Sequence, residues 1–187
     1  MIEGGLRATY TDARRFGYIH FIESGTSEKE DRFLRVLGPE PLSPDFDSEI
    51  LSKNLNNRRI SIKSALLDQS VVVGLGNIYV NEALNRSGIS PRRSSFTLVK
   101  KNGNPSNRLE LLVKEIRNVL SEAIDAGGST LQDFRGVTGG DDIGWFPVNF
   151  RVYGREGQKC VKNDCSAIIR RIVQSNRSTF FCPSCQR

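Results

Sequence analysis

All four cysteines of the chain lie between residues 160 and 185. Cys160 and Cys165 enclose four residues, Cys182 and Cys185 enclose two, and sixteen separate the pairs. Two short loops that each present two thiolates suit tetrahedral zinc, and clustered cysteines in a chain without an export signal argue for metal before disulfides. Between the loops, Ile168-Ile169 and Thr179-Phe180-Phe181 read as the two strands of a hairpin from which Arg177 projects. Four thiolates fill a tetrahedron, so the expected role is one structural Zn²⁺ with no open position. Such a site carries a formal charge of about −2.

A second chemical stretch runs from Ile62 to Leu84. Lys63 opens a short helical run with Ala65, Leu66 and Leu67, and Val71, Val72 and Val73 form a buried approach to a turn. Gly74 and Gly76 break the helix, and Asn77 starts another through Tyr79 and Leu84 whose free N–H groups face outward. Such an end attracts phosphate. Two glycines between helices can equally be a C-cap followed by an N-cap, so the surroundings must decide.

Two further segments could touch a ligand. Asp12-Ala13-Arg14-Arg15-Phe16-Gly17 places two guanidinium groups beside an aromatic ring. On nucleic acid, an arginine can bond a base edge while a ring wedges between bases. From spacing alone, a solvated turn with Phe16 in the core is favoured. The segment Arg135 to Pro147 is rich in glycine and ends near Trp145-Phe146, which suits either disorder or a lid over a ligand. His20, the single histidine, lies in an apolar stretch far from the cysteines and reads as structural.

The elements that must hold these groups follow the chain. Leu6 to Tyr10 and Gly17 to Ile22 have strand character, yet two strands alone are marginal in water. LGPEPLSPDF is a Pro-rich linker, with Ser43 as cap, Pro44 at the first helical position and a helix through Ile50 and Leu55. Asn104-Pro105 opens the longest helical pattern, with Leu109, Leu112, Ile116, Val119, Leu120, Ala123 and Ile124 on one buried face. Gly127-Gly128 ends it, and Ser129 with Gln132 forms a capping box for a short helix through Phe134.

The 187 residues carry a formal net charge of +6. Eight Lys or Arg against Glu156 and Asp164 place that whole excess between Phe150 and Arg187. A polyanionic partner fits this placement. Apolar runs are too short for a signal peptide or a membrane span, so a soluble, intracellular protein is expected.

Together DARRFG, LGPEPLS, IKSALLDQ, GLGNIYVNEAL, GGSTLQDF, VYGREGQKC and RSTFFCPSCQ resemble the bacterial formamidopyrimidine-DNA glycosylases of the zinc-finger type, from about Tyr10 to Gln186. The resemblance implies an α+β chain in four parts. Residues 1–37 are the last strands of an N-terminal β-rich domain, 43–135 a helix-two-turn-helix DNA-binding domain, 136–149 a flexible loop capping the lesion, and 150–187 a zinc β-hairpin. It implies base-excision repair of damaged duplex DNA by a cytoplasmic, nucleoid-associated monomer that excises oxidised purines and cleaves abasic sites. Lys63 and Asn77 would hold phosphates near the lesion, with Arg58 as a further contact. Arg14 and Phe16 would fill the gap left by the flipped base. Arg177 would bind phosphate and assist the elimination step, while Cys160, Cys165, Cys182 and Cys185 hold zinc.

Two departures stand out. The family's first cysteine pair usually encloses two residues, so the Cys160–Cys165 knuckle should be longer. The family's nucleophile is an amino-terminal proline followed by glutamate, whereas this chain opens Met1-Ile2-Glu3. DNA binding is therefore the function expected of these residues, with catalysis supplied mainly by an absent part. A non-catalytic nucleic-acid-binding module and a zinc-stabilised protein-interaction domain are the competing readings.

Overall fold

The computed structural model describes residues 9, 10, 12, 17, 19–25, 31–127 and 150–187. The chain divides into two compact units, Met1–Arg35 and Val36–Arg187. In the first, Asp31 is the organising group. Its carboxylate accepts from Phe33 N at 2.8 Å and Leu34 N at 3.0 Å, and shares a hydrogen bond with His20 Nε2 at 2.9 Å. His20 also packs edge-on against Phe33. The histidine is thus structural. Residues 19–23, expected in a strand, have no ladder partner among the described residues.

The second unit begins with a linker clipped to the inter-helix turn by Gly38 N to Gln69 O and Val73 N to Pro39 O. A Cβ on Gly38 would lie 2.7 Å from the Val71 carbonyl carbon, so only glycine fits. Helix α1 spans Ser48–Leu55 and is capped by Asp47, whose side chain accepts from Ile50 N, rather than by Ser43. The Ser43 hydroxyl donates to Glu40 O and Phe46 N bonds Ser43 O, so Ser43 and Pro44 belong to the preceding turn. Arg117 clasps that turn through the carbonyls of Ser43 and Phe46.

Helix α2, Ile62–Leu66, is capped by Ser61, and helix α3 spans Asn77–Arg86. Between them two turns are fixed by side chains. Asp68 accepts from the Ser70 amide and hydroxyl, and Gly74 N, at a φ of +77° that disfavours other residues, donates to Gln69 Oε1. Helix α4 spans Asn107–Asp125 and is capped by Ser106, two residues after the expected opening at Asn104, since Pro105 is held in a bridge to Val99. Its inner face carries Leu109, Leu112, Ile116, Val119 and Ala123. Ile124 is 65 % exposed: eight helical steps from Ile116 carry it about 80° off the buried face. A two-pronged pair between Arg86 and Glu122, at 2.6 and 2.7 Å, ties α3 to α4 and holds the Glu122 carboxyl below its usual range. Gly127 follows the helix as expected; the short helix placed at Ser129 to Phe134 lies outside the described residues.

The main core joins Phe46, Leu51, Leu66, Val72, Leu84 and Leu112 with their neighbours. A second, smaller core of Val152, Ile169, Phe180 and Cys182 lies under strands β1, Arg170–Gln174, and β2, Arg177–Phe181. The hairpin starts two residues later than expected. Ser175 and Asn176, both at positive φ, make a two-residue turn that pairs Gln174 with Arg177 and hence Arg170 with Phe181. Ile168 and Ile169 pair instead with residues 157–159.

The hairpin segment meets α3 through polar groups. The fully buried Glu82 carboxylate accepts from three successive backbone amides, Arg151, Val152 and Tyr153, at 2.8 to 3.0 Å. Asn81 Oδ1 accepts from Phe180 N. Each buried donor left without an acceptor costs about 1–3 kcal/mol. Glu82→Ala is therefore expected to detach residues 150–187 from α3 while the main core survives. Hydrogen exchange should show lost protection at Val152 and Phe180 and retained protection at Leu84 and Leu112; unchanged exchange would contradict the assignment.

Candidate nucleic-acid interface and metal centre

The tip of the hairpin lies on the start of α2 and α3. Gln174 Nε2 donates to Ser61 Oγ and Pro91 O, and the Ser64 and Ser175 hydroxyls share a hydrogen bond of 2.9 Å. At the centre, the Ser178 carbonyl accepts from Lys63 Nζ at 3.0 Å and from Asn77 Nδ2 at 3.1 Å. Two residues named from the sequence as phosphate ligands thus converge on one oxygen. Lys63 Nζ also donates to Thr179 Oγ1 at 2.7 Å.

Lys63 is wholly covered, at 0 % exposure. Burial pulls its ammonium down to about 8, and the Arg177 guanidinium adds to the shift. Arg177 faces Gln174 across the hairpin and is exposed, so it emerges on the strand face turned to α2. Asn77 begins α3 behind Gly76, which provides no side-chain cap, and its own Oδ1 is buried without a partner. The first turn of α3 therefore keeps the positive end of the helix dipole uncapped beside Arg177 and Lys63.

Arg58 stands at the edge of this region, where its guanidinium bonds Asp68 at 2.8 Å with 37 % of the side chain exposed. The Asp68 carboxyl is held down first by the Ser70 hydroxyl and amide, then by Arg58. Ser61 and Ser94 form a bridge, which with Ile62 N to Arg93 O and Phe96 N to Arg58 O draws the 58–62 and 92–96 segments together. Arg58, Arg59, Arg92 and Arg93 are thereby neighbours in chain packing although distant in sequence. Arg14, Phe16 and the loop 136–149 lie outside the described residues.

The four cysteine sulfurs lie within 4.8 Å of one another, with pairs at 3.4, 3.7 and 3.9 Å. A disulfide needs a separation near 2 Å. Four sulfurs around zinc at about 2.3 Å would sit about 3.8 Å apart, so the set fits a tetrahedral ion. The longer first knuckle closes through a turn, Cys165 N to Lys162 O, with Asp164 in the left-handed region. Burial pushes the Cys160 and Cys185 thiols up, while the Ala167 amide foremost draws Cys165 down to about 7. Crowded, partly buried sulfurs of this kind lose their protons to a metal. Together they form the site of one structural zinc ion.

Of the residues here, Asn77 was singled out from the sequence, but Asn81, Asn85 and Gln186 were not. Asn77, Asn81 and Asn85 recur at four-residue steps on α3, and each bonds the zinc segment: Asn77 to Ser178 O, Asn81 to Phe180 N and Asn85 to Gln186 Oε1. Gln186 also accepts from Cys182 N and donates to Ile89 O. The signal available was that asparagine stripe, a polar line at four-residue steps on a helix that also buries Val80, Ala83 and Leu84.

Residues 37–135 match the family model of the formamidopyrimidine-DNA glycosylase H2TH domain, and residues 157–187 match the zinc finger found in FPG and IleRS. A formamidopyrimidine-DNA glycosylase of Nitrobacter winogradskyi is 50 % identical over 177 residues, covering 95 % of this chain and 59 % of that protein. One from Azorhizobium caulinodans is 49 % identical, covering 100 % and 62 %. The chain thus spans about three fifths of the length of these relatives. Among solved structures, MutM (FPG) of Thermus thermophilus superposes with a TM-score of 0.78 at 38 % identity, covering 94 % of this chain and 62 % of that one. Lactococcus lactis Fpg, solved with abasic-site DNA, gives 0.71 at 35 % identity, covering 83 % and 54 %.

Because the zinc segment has its own small core, metal removal is expected to act locally. A chelator should release one zinc per chain and abolish exchange protection at Val152 and Phe180, leaving α1 to α4 folded by circular dichroism. Full retention of the hairpin without metal would contradict a structural ion.

Proposed function

Since the chain belongs to the formamidopyrimidine-DNA glycosylases, we propose that it binds damaged duplex DNA in base-excision repair. The observation that carries this reading is the convergence of Asn77 and Lys63 at the Ser178 carbonyl, next to Arg177 on the same strand and beside the uncapped start of α3. The α3 amides and the second Asn77 N–H hold one backbone phosphate, and Arg177 holds it from the hairpin side. Lys63, covered by the hairpin, lends charge from beneath. Arg58 contacts the neighbouring backbone once its carboxylate partner yields. Arg14 and Phe16 occupy the gap left by an everted base, and the loop 136–149 closes over that base.

The activity of the family, excision of oxidised purines such as 8-oxoguanine and formamidopyrimidines followed by strand cleavage at the abasic site, is the activity proposed for the whole protein. Its elimination step passes through a Schiff base, which needs a deprotonated amine at the sugar carbon. Lys63 is a poor candidate for that amine, because two of its donors are bound to the hairpin and none of its surface is open. Arg177 steadies the phosphate that departs. No helix among the described residues is long and apolar enough to cross a membrane, and a monomer acting at the bacterial nucleoid is the proposed setting.

Binding of a duplex carrying an abasic-site analogue should fall steeply with salt. Asn77→Ala should weaken it, and Arg177→Ala should weaken it and reduce the logarithmic salt slope by about one. Wild-type affinity in both variants would overturn the assignment. Borohydride trapping on abasic DNA reports the chemistry separately: a covalent adduct identifies a working amine in this chain, and its position by peptide mapping tests whether Lys63 is spared.

A further inference from the structure

The junction of hairpin and helices contains a cation with no anion. Lys63 is fully buried, yet no carboxylate pairs with it among the described residues. The groups facing it can be taken element by element. Strand β2 presents the Ser178 carbonyl, the Thr179 hydroxyl and the positive charge of Arg177. Helix α3 presents the neutral Asn77, its carboxylate Glu82 being turned to residues 151–153. The segment packed on α2 through Lys63 N to Pro91 O adds Arg92 and Arg93, and α2 itself has no other charge. The charge that acts on the Lys63 ammonium is that of Arg177, and it is positive, while Arg92 lies over the Phe181 ring.

A buried ammonium beside a guanidinium persists only if its N–H groups find acceptors. Two are available, and one of them is a side chain. Thr179 is itself fully buried, and its Oγ1 makes the shorter of the two bonds, 2.7 Å. We propose that Thr179 is a positioning residue which, with the Ser178 carbonyl, keeps the Lys63 ammonium charged and fixed beneath the hairpin, so that its field strengthens phosphodiester binding at Arg177 and the α3 N-terminus without direct contact. The proposal rests on the DNA-binding reading and adds to it a residue and a mechanism. The shared direction of these charges makes the site one that a phosphate relieves, since an anion above Arg177 offsets both cations at once. Cys182 follows Thr179 by three residues, just past the end of β2, so the zinc site also sets where this hydroxyl sits.

The Lys63 amine stands near 8 in the DNA-free protein. Acceptors favour the charged form, so losing one lowers this value further. Thr179→Val keeps the shape and removes the acceptor; Thr179→Ser keeps the acceptor. In the zinc-loaded protein, NMR titration of the Lys63 side chain should give a midpoint of about 8 for wild type and Thr179→Ser, and a clearly lower one for Thr179→Val. Binding to abasic-analogue duplex should then be lost at correspondingly lower pH in Thr179→Val, since the neutral amine exerts no attraction. Lys63→Met, which needs no acceptor, should bind on the order of tenfold more weakly at about pH 7 and show no pH dependence around 8.

A Thr179→Val protein that keeps its zinc and titrates like wild type overturns the proposal, whatever its affinity for DNA. If Thr179→Val fails to retain its hairpin, Lys63→Met decides: wild-type affinity and pH profile in that variant overturn the proposal too. Wild-type protein that titrates as expected but binds no duplex instead removes the DNA-binding reading, because the free-protein titration does not depend on it.

Discussion

Three consecutive amides, from Arg151 to Tyr153, point at one buried carboxylate on α3. Much else depends on that contact. A hairpin of two five-residue strands has too little apolar surface to hold a position by itself, and its core is only a handful of side chains around the metal. Glu82 fixes where the segment enters, Asn81 fixes Phe180, and Gln186 fixes the second cysteine loop. With those points set, the tip can only fall on the start of α2 and α3. The position of the hairpin is therefore a result of polar satisfaction along one helix together with the packing of Phe150 on Val119 and Ala123.

The same helix has two unlike ends. Its N-terminus is uncapped and lies among Lys63, Asn77 and the hairpin tip, whereas its C-terminal turn is neutralised by the Arg86 and Glu122 pair. A helix so arranged offers its positive end to a ligand while its other end is absorbed into the scaffold. The charge excess of residues 150–187 adds to this without creating it, because most of those cations are exposed and screened.

What could be read from the sequence was whatever depends on local chemistry. Cysteine spacing named the metal site, Gly74 and Gly76 named the turn before α3, and the three-and-four pattern named the buried face of α4. Errors arose where a residue had two local uses. Ser43 could cap a helix or close a turn, and its hydroxyl went to Glu40 because Asp47 stood nearer the apolar run. Ile168 and Ile169 have strand character, but the tight turn at Ser175 and Asn176 sets the register, and the partners they would need lie past the end of β2. The burial of Lys63 could not be read at all, since it follows from a strand more than a hundred residues away. Glu82 and Thr179 look like ordinary surface residues in isolation and acquire meaning only across that contact.

Besides the main core and the small one under the hairpin, a third cluster of Val119 and Ala123 takes Phe150 against α4, while Glu82, Asn81 and Asn77 of α3 bond residues 150–187 by hydrogen bonds. Separation along such a seam exposes amides and carbonyls together with hydrocarbon, and these two kinds of surface change the heat capacity in opposite directions. Partial opening of the hairpin would then change the heat capacity little, although breaking its hydrogen bonds absorbs heat, while the helical core gives the main melt. The hairpin thus has room to loosen and reset with little change in heat capacity while the main core keeps the helices folded.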